Sequence, residues 1–541
     1  MRLRLAVLLV VAAGIAGLVG VLVLAPDYLL LRGFPLDDAW IHAVYARSLA
    51  HSGTFSYNPG IPATGATSPL WTVVLAVPQL LTSDVTTVVL LTKLLGFGLH
   101  VAATLVLLRC LSDGAVVRPA QLAGAMLVAV HPDLVSASMS GMEVPLANLV
   151  AAGLLLAATG PSALLYGAVC FLAPLARPEL SALCVAVPVA LFARRSFRHL
   201  GILLGAAFVG NAVSLTVVGL RNLAVSGRPL PAAFYAKFGK GYPSMLEGQV
   251  TGWTELLARF PVADSSILLV IAAALAASVL FARKPASIPI ERAAAGLLAG
   301  LAFCAVSFAA IPPVDPRAFY NQRYVLPVLP LLVGSIPVLI LETFPRRLLP
   351  ARTLRLVQIA VMVLLTVSVV VGASVRYPKL ANDARNIDDV QVAIGKQLEG
   401  ASPDQTVWAV DAGAVRYFGN AFVVDLMGLN SVQMLGPDAS RFLDTYSPQF
   451  IETVAEWVKV DLKTPQRLQA VSFRTSTRYT ATSFAAMQQH WIVVCNDPAA
   501  SGQVVIRERR LPFRCAHPVG ARSAAAAKNP GGAPWDRERQ R

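Results

Sequence analysis

The sequence predicts a polytopic α-helical membrane protein of about eleven transmembrane helices, followed by a C-terminal α/β domain. Hydrophobic residues make up 56% of its 541 residues and charged residues only 14%, with a mean hydropathy of +0.62. Soluble domains carry about 25% charged residues. Apolar runs of about 20 residues, enough to cross a bilayer, recur up to residue 375. Charged residues then become denser, which indicates a water-facing part of about 160 residues, large enough for its own core.

The apolar runs give the predicted spans in order. The first follows the basic start "MRLR" and resembles a signal peptide, but its length and its lack of a small-x-small cleavage site favour a retained anchor. Two later segments, 162–176 and 179–193, are short for spans, and 68–81 is re-entrant or extends the next helix. The predicted spans lie near 5–26, 85–108, 119–135, 144–160, 162–176, 179–193, 200–220, 264–282, 293–312, 324–342 and 356–375.

Charge between the spans predicts the orientation. With a cytoplasmic N-terminus, all four inner turns carry arginine, as the positive-inside rule requires. These turns lie near 109–118, 194–199, 283–292 and 343–355. An odd number of spans then makes the C-terminal domain extracytoplasmic. Three long loops, 27–84, 221–263 and 313–323, lie on the same outer side, so we expect the chemistry there.

The predicted organisation is a membrane module over 1–375, an α/β domain over 376–520 and a disordered tail over 521–541. Segments 406–419 and 421–430 have the pattern of short strands that end in turns, and 490–496 has that of another strand. Cys495 and Cys515 can form a disulfide if this region faces an oxidising compartment.

Two adjacent carboxylates, Asp37 and Asp38, open the first outer loop. Pro35 before them predicts a helix start with an Asp as its N-cap. Asp38, His42 and Tyr45 then share one helix side at i, i+4 and i+7. A capped surface helix would explain one acid. Two acids with His42 favour a functional site, because ionisable groups at a membrane edge are costly to desolvate.

The stretch "DDAWIHAVYARSLAHSGTFSYNPG…SPLW" resembles the first outer loop of the GT-C glycosyltransferases, and is most similar to the branch that includes the mycobacterial terminal arabinofuranosyltransferase. Five later stretches extend the resemblance, although the family's common Asn-Thr is Ala232-Ala233 here. They are "SGMEVPLANL" (140–149), "LARPEL" (175–180), "GRPLPAAFYAKFG" (227–239), "YNQRYVLPVLP" (320–330) and "DAGAVRYFGNAFVVDLMGLN" (411–430). Each motif is weak alone, while their order and sidedness together are specific.

The resemblance implies an inverting transfer of a sugar from a polyprenyl-phosphate donor, on the outer face of the bacterial cytoplasmic membrane. The paired acid is the mark of the family, and either Asp37 or Asp38 would be the base that takes the proton of the acceptor hydroxyl. Glu143 is a second acid for an acceptor hydroxyl or a divalent cation, or else a cap for the helix that starts at Val144. His42 orients an Asp, binds a metal or lies at the interface.

Cations on the predicted outer side are candidates for the donor phosphate, because they run against the inside bias of positive charge. They are Arg323, Lys237 and Arg177, each of which can instead be a snorkelling interfacial residue. Glu179 is a simple partner for Arg177. Tyr45, Tyr235 and Tyr320 would line the substrate cavity or belong to an interfacial aromatic belt. Asp411, Tyr417 and Asp425 would form turns or bind the acceptor.

The predicted partners are a polyprenyl-phosphate sugar, an envelope glycan or glycolipid acceptor, and the lipid bilayer. The sequence assigns no definite cofactor, and a divalent cation is left open. The net charge is +15, but the Lys and Arg residues fall mainly between apolar runs and form no basic-aromatic stripe. A nucleic-acid partner is therefore not expected. The alternatives are a transporter or flippase of lipid-linked sugars, a protein glycosyltransferase, and a catalytically lapsed scaffold protein. A transporter would carry ionisable residues inside its spans or inverted repeats.

Overall fold

The computed structural model describes most of the chain. The described residues are 1–28, 33–192, 197–238, 275, 287–310, 324–343, 350–454, 458–462, 469–473, 490–495, 497, 500–506 and 509–515. The predicted span near 264–282 (apart from residue 275), the site candidates Tyr320 and Arg323, and the tail 521–541 lie outside the described residues.

Among residues 1–387, the part of the chain that the structure describes is mostly helical. The helices are α1 (Leu3–Leu24), α2 (Asp37–Ser52), α3 (Pro69–Leu81), α4 (Val85–Leu111), α5 (Pro119–Val130), α6 (Pro132–Ser138), α7 (Val144–Thr159), α8 (Ala163–Ala176), α9 (Leu180–Phe192), α10 (Phe197–Ser226), α11 (Ala232–Phe238), α12 (Ile288–Ala310), α13 (Leu329–Thr343) and α14 (Ala351–Ile387). Apart from the 264–282 segment, every predicted span coincides with one of these helices or, for 119–135, with α5 and α6 together.

Five of the described helices, α1, α4, α10, α12 and α14, are long and apolar enough to cross a membrane. Helices α5 and α6 make a sixth if they are taken as one span bent by 51°. The bend falls at Pro132, which lacks the N–H that would continue the helix. Five other apolar helices, α3, α7, α8, α9 and α13, are shorter. The total of about eleven spans therefore stays a prediction.

The turns predicted to face the cytoplasm meet at one end of the helices. The N-terminal ammonium donates to the Val117 carbonyl at 3.1 Å, and the Arg118 guanidinium pairs with Glu342 at 2.9 Å. Arg292 donates to the Cys110 carbonyl at 2.8 Å. The structure thus groups the start of α1 with three of the predicted inner turns, and which side of a membrane they face stays a prediction.

The first outer loop folds as α2, a hairpin of β1 (Ser56–Asn58) and β2 (Ile61–Pro62), and α3. Helix α2 begins at Asp37 with Leu36 at the N-cap position and no side-chain cap. The prediction of an Asp N-cap is therefore wrong, because the Asp37 carboxylate is engaged by another part of the chain. Helix α3 has its own cap, since Ser68 accepts a hydrogen bond from the Trp71 N–H, and it is separate from α4.

Helix α14 continues through the predicted domain boundary at residue 375. A π-helical turn (Asp388–Val392) and α15 (Ala393–Gln397) follow it into the C-terminal region, which we define as residues 388–515. This region adds α16 (Ala412–Phe418), α17 (Ala439–Thr445) and the strands β3 (Thr406–Ala409), β4 (Phe422–Asp425), β5 (Phe450–Val454), β6 (Val458–Leu462), β7 (Gln469–Phe473), β8 (His490–Val494), β9 (Ser501–Ile506) and β10 (Arg509–Arg514). The sheets have the orders β4-β3-β5-β8-β7 and β10-β9-β6.

The strand expected over 406–419 ends at Ala409, and residues 412–418 are helical instead. The reason is topological: β3 and β4 pair in parallel, and a parallel pair needs a crossover, which α16 supplies. Strands near 421–430 and 490–496 are present as β4 and β8.

The alternation of β3 divides the region between two cores. Val407 and Ala409 pack into a core that they share with Trp40 of α2, while Trp408 and Val410 pack into a second core within the C-terminal region. The larger sheet is therefore joined to the first outer loop by a common hydrophobic core. Elsewhere in the region, Cys495 and Cys515 form the predicted disulfide, with their Cα atoms 5.2 Å apart.

Candidate active site

Four ionisable side chains, those of His42 in α2, Glu143, Arg177 and Glu179, contact one another in sequence. Glu143 contacts the His42 Nε2 atom with its Oε2 at 3.3 Å and the Arg177 Nε atom with its Oε1 at 3.4 Å. Arg177 also faces the Glu179 carboxylate at 3.6 Å and lies 5.4 Å from the centre of the Tyr324 ring. Glu143 and Arg177 are only 5% and 6% exposed. A pair this deep is favourable only while both partners are present.

Glu143 precedes α7 but does not cap it with its side chain. Its carboxylate turns towards His42 and Arg177, so the alternative of a simple cap is not realised. Burial by itself would raise the pKa of Glu143. The Arg177 charge and the His42 hydrogen bond outweigh burial and hold the pKa of this carboxyl well below its usual range. Glu143 is thus an ionised acceptor rather than a proton donor.

The turn that carries Glu143 is held from two sides. Trp71 Nε1 donates to the Gly141 carbonyl at 3.0 Å, and the Tyr28 hydroxyl donates to the Met139 carbonyl at 2.5 Å. Gly141 has φ +79°, and a Cβ there would lie 2.7 Å from the Phe34 ring. Only glycine meets both demands, so this residue fixes the approach of the acid to His42.

A narrow cavity of about 60 Å³ adjoins this chain of charges. Glu143 and Arg177 line it together with two further ion pairs. They are Arg376–Asp133 and Lys379–Asp383, each at 2.6 Å. Arg376 and Lys379 were missed from the sequence. They directly follow the predicted span 356–375 on its predicted outer side. The rule that selected Arg177, a positive charge on the predicted outer side, would therefore have found them too.

The two adjacent acids have different surroundings. Asp37 accepts hydrogen bonds from the Gly413 N–H at 2.6 Å and the Ala414 N–H at 2.8 Å, both in the first turn of α16. Burial, and then the nearby Asp411 carboxylate, raise the pKa of Asp37 well above its usual range, although the two backbone bonds act in the opposite direction. Asp38 lies about 100° further around the helix, on the side of His42.

Tyr45 connects the first outer loop to the C-terminal region. Its fully buried hydroxyl accepts from the Gly65 N–H at 3.1 Å and donates to the Asn430 Oδ1 at 3.0 Å. Asn430 in turn donates to Asp425. Burial raises the pKa of Asp425 to about 6, against the hydrogen bonds from residues 427–430. This chain of bonds gives Tyr45 a connecting position in the fold, and its place in a substrate cavity stays a prediction.

Two of the remaining sequence candidates, Tyr235 and Lys237, lie in α11. Tyr235 is half-buried, 5.0 Å from the Arg228 guanidinium, which also donates to the Leu435 carbonyl. Lys237 lies in α11, but its side chain is outside the described part of the structure, as are Tyr320 and Arg323. Among the described residues, no three His, Cys, Asp or Glu side chains are grouped to hold a metal ion.

Known proteins share features with this chain at the level of fold. Residues 385–506 match the family model of a domain of unknown function, DUF8728. No protein of curated function matches the chain. Among solved structures, the chain is similar to ArnT from Cupriavidus metallidurans bound to undecaprenyl phosphate, with a TM-score of 0.51 and 14% identity over 90% of this chain and 97% of ArnT.

The chain is also similar to the oligosaccharyltransferase of Archaeoglobus fulgidus, in a structure tethered to an acceptor peptide that contains the NVT sequon. The TM-score is 0.48 and the identity 11%, over 93% of this chain and 76% of that one. The likeness to ArnT shows a shared fold. Together with the long apolar helices, it supports the predicted polytopic helical architecture.

Proposed function

We propose that this protein is a GT-C glycosyltransferase that moves a monosaccharide from a polyprenyl-phosphate donor to an envelope glycan or glycolipid, on the outer face of the bacterial cytoplasmic membrane. One observation carries the proposal. The Glu143–Arg177 pair and the cations of α14 line one cavity, together with Pro35 and Leu36, which directly precede the paired acids of α2. That ArnT binds undecaprenyl phosphate in the same fold supports this donor class.

The proposed reaction is a direct displacement with inversion. The acceptor hydroxyl oxygen forms a bond to the anomeric carbon while its proton passes to the carboxylate of Asp37 or Asp38. The bond between the anomeric carbon and the phosphate oxygen breaks, and its electron pair leaves with polyprenyl phosphate. Glu143, kept ionised by Arg177, would accept a hydrogen bond from the sugar or the acceptor.

The leaving phosphate needs cations nearby. The cavity offers Arg177, Arg376 and Lys379, but three carboxylates balance them: Asp133, Glu143 and Asp383. This lining is formally neutral, so a phosphate would require additional positive charge. Lys237 and Arg323, proposed from the sequence, would supply it.

The test is transfer in proteoliposomes with a panel of polyprenyl-phosphate sugars, starting with arabinofuranosyl because of the resemblance to that branch. Wild type should consume one donor, and the double variant Asp37→Asn/Asp38→Asn should lose at least 100-fold in rate. Asp27→Asn is the matched control, because Asp27 is an exposed acid near the same end, paired with Arg385. Equal rates in all three proteins would contradict the proposed site.

A transporter of lipid-linked sugars is the second candidate, since ionisable residues do lie inside a predicted span. Lys93 and His100 of α4 are fully buried. Each contacts a backbone carbonyl, Lys93 that of Tyr28 at 2.7 Å and His100 that of Ala129 at 3.2 Å, so they also fit a structural role. Movement of a lipid-linked sugar across the bilayer without its consumption would establish the transporter.

A further inference from the structure

The two acids of α2 lie on different sides of the helix, and the contacts of Asp37 define its role. Both carboxylate oxygens of Asp37 accept backbone N–H groups of α16: Oδ2 from Gly413 and Oδ1 from Ala414. These partners are 376 and 377 residues away along the chain. The Asp37 side chain therefore supplies α16 with the acceptors that a helix start otherwise takes from its own N-cap residue.

The N-cap residue of α16 does not itself accept the hydrogen bonds that Asp37 accepts. Asp411 occupies the N-cap but makes no side-chain cap, and its Oδ2 accepts from the Gln391 Nε2 atom at 2.8 Å instead. The approach of α2 is also very close. A Cβ at Gly413 would lie 2.2 Å from the Asp37 carbonyl oxygen and 2.7 Å from its Oδ2. Glycine at position 413 is thus required for the contact.

The contact is part of a wider joint between the first outer loop and the C-terminal region. The Tyr57 hydroxyl donates to the Ala412 carbonyl, and Asn58 exchanges two hydrogen bonds with the Val423 backbone at 2.9 and 3.0 Å. Arg47 donates to the Tyr417 carbonyl at 2.8 Å. All of these bonds surround the shared core that contains Trp40. Asp37 contributes a carboxylate to this joint, through its hydrogen bonds from the Gly413 and Ala414 N–H groups.

We propose that Asp37 is a positioning residue that fastens the C-terminal region to α2, and that Asp38 is the base of the pair. Asp38 is on the side of α2 that carries His42, and His42 contacts Glu143 beside the cavity. The raised pKa of Asp37 would suit a base as well, but its two oxygens are already committed to amides. The role of Asp38 rests on the proposed function, whereas the fastening by Asp37 does not.

The role of Asp37 has consequences for the acceptor. Helix α16 and the loop after β4 follow the carboxyl ends of the parallel strands β3 and β4, the edge at which α/β sheets usually bind ligands. Here that edge faces the first outer loop. Loosening the joint should therefore weaken acceptor binding more than it slows the chemical step.

The test combines hydrogen–deuterium exchange of the full-length protein with transfer kinetics. Asp37→Asn removes one of the two acceptors, and Gly413→Ala separates the same surfaces without altering any carboxylate. Both should speed exchange of the 411–418 amides at least 10-fold and raise the acceptor KM, with kcat within about 10-fold of wild type. Gly400→Ala is the control, because a Cβ there meets nothing within 4 Å.

Asp38→Asn should leave exchange at 411–418 unchanged and lower kcat at least 100-fold, the usual share of a general base. Added formate, a small carboxylate, should partly restore Asp38→Ala but not Asp37→Ala. Unchanged exchange in both Asp37→Asn and Gly413→Ala, or formate rescue of Asp37→Ala, would overturn the proposal. If wild type transfers no sugar, the proposed function fails, and the exchange data still decide whether Asp37 fastens the region.

Discussion

Replacing Glu143 by Gln tests whether the buried charges beside the cavity depend on one another. The change removes the negative charge between His42 and Arg177, at 3.3 and 3.4 Å, and leaves Arg177 with a weaker partner in Glu179 at 3.6 Å. Breaking a buried pair by removing one member costs about 3–5 kcal/mol. Because Glu179 remains, we expect the lower end, about 3 kcal/mol.

The assay is thermal unfolding of the purified protein. Unfolding entropy is about 2.1 cal/mol/K per residue, or about 1.1 kcal/mol/K for a chain of 541 residues. A loss of about 3 kcal/mol then lowers Tm by about 3 °C. The matched control is Glu179→Gln, whose carboxylate side chain is 28% exposed, and there we expect less than about 1 kcal/mol.

The pH dependence of this loss follows from the pKa of Glu143, which is held below its usual range. A carboxyl with a depressed folded pKa contributes its full stability above its unfolded pKa, about 4.3, and loses it as the pH falls through the folded value. The Glu143 carboxyl itself should therefore add no pH dependence to the Tm difference between wild type and Glu143→Gln near neutral pH, and the difference should shrink as the pH falls below about 4.3. Equal Tm losses for Glu143→Gln and Glu179→Gln would refute the reasoning.

Three further outcomes are expected. Gly141→Ala should lower Tm more than Gly53→Ala, because both have positive φ but only at Gly141 does a Cβ meet a side chain, the Phe34 ring at 2.7 Å; equal losses would show that the ring yields. Cys495→Ser should make the C-terminal region more sensitive to protease, because the disulfide closes a 20-residue separation and contributes about 3 kcal/mol. Wild type treated with a reductant should show the same increase in cleavage. Unchanged cleavage in both samples would contradict this. Arg376→Gln should raise the donor KM in the transfer assay, while exposed Arg385→Gln should not; an unchanged KM would remove Arg376 from the donor site.

Much of the helical architecture could be read from local patterns. Apolar runs predicted helices such as α4 and α14 because the thickness of a bilayer requires about 20 consecutive, mostly apolar residues in a spanning helix. Within 406–419 the sequence predicted a short strand ending in a turn, which is present as β3, but it did not predict the helix α16 that follows. The parallel pairing of β3 with β4 required the crossover helix α16, and that pairing is a property of the whole sheet.

The site shows the same division. The sequence selected Glu143 and Arg177 separately, but it left Glu143 between a cap and a ligand-binding acid. The tertiary structure turns its carboxylate to His42 and Arg177, and it brings Arg376 to the same cavity from a helix about 200 residues later. Such contacts join residues far apart in the chain, so no local spacing records them.

The sequence by itself predicted a helical membrane protein with an acid pair at the start of α2. Only the tertiary structure decided that the acids differ, because the amides that bind Asp37 belong to α16, 376 residues away. Hydropathy and helical period act over neighbouring residues, whereas the partner of a buried carboxylate depends on which distant backbone groups the fold brings to it.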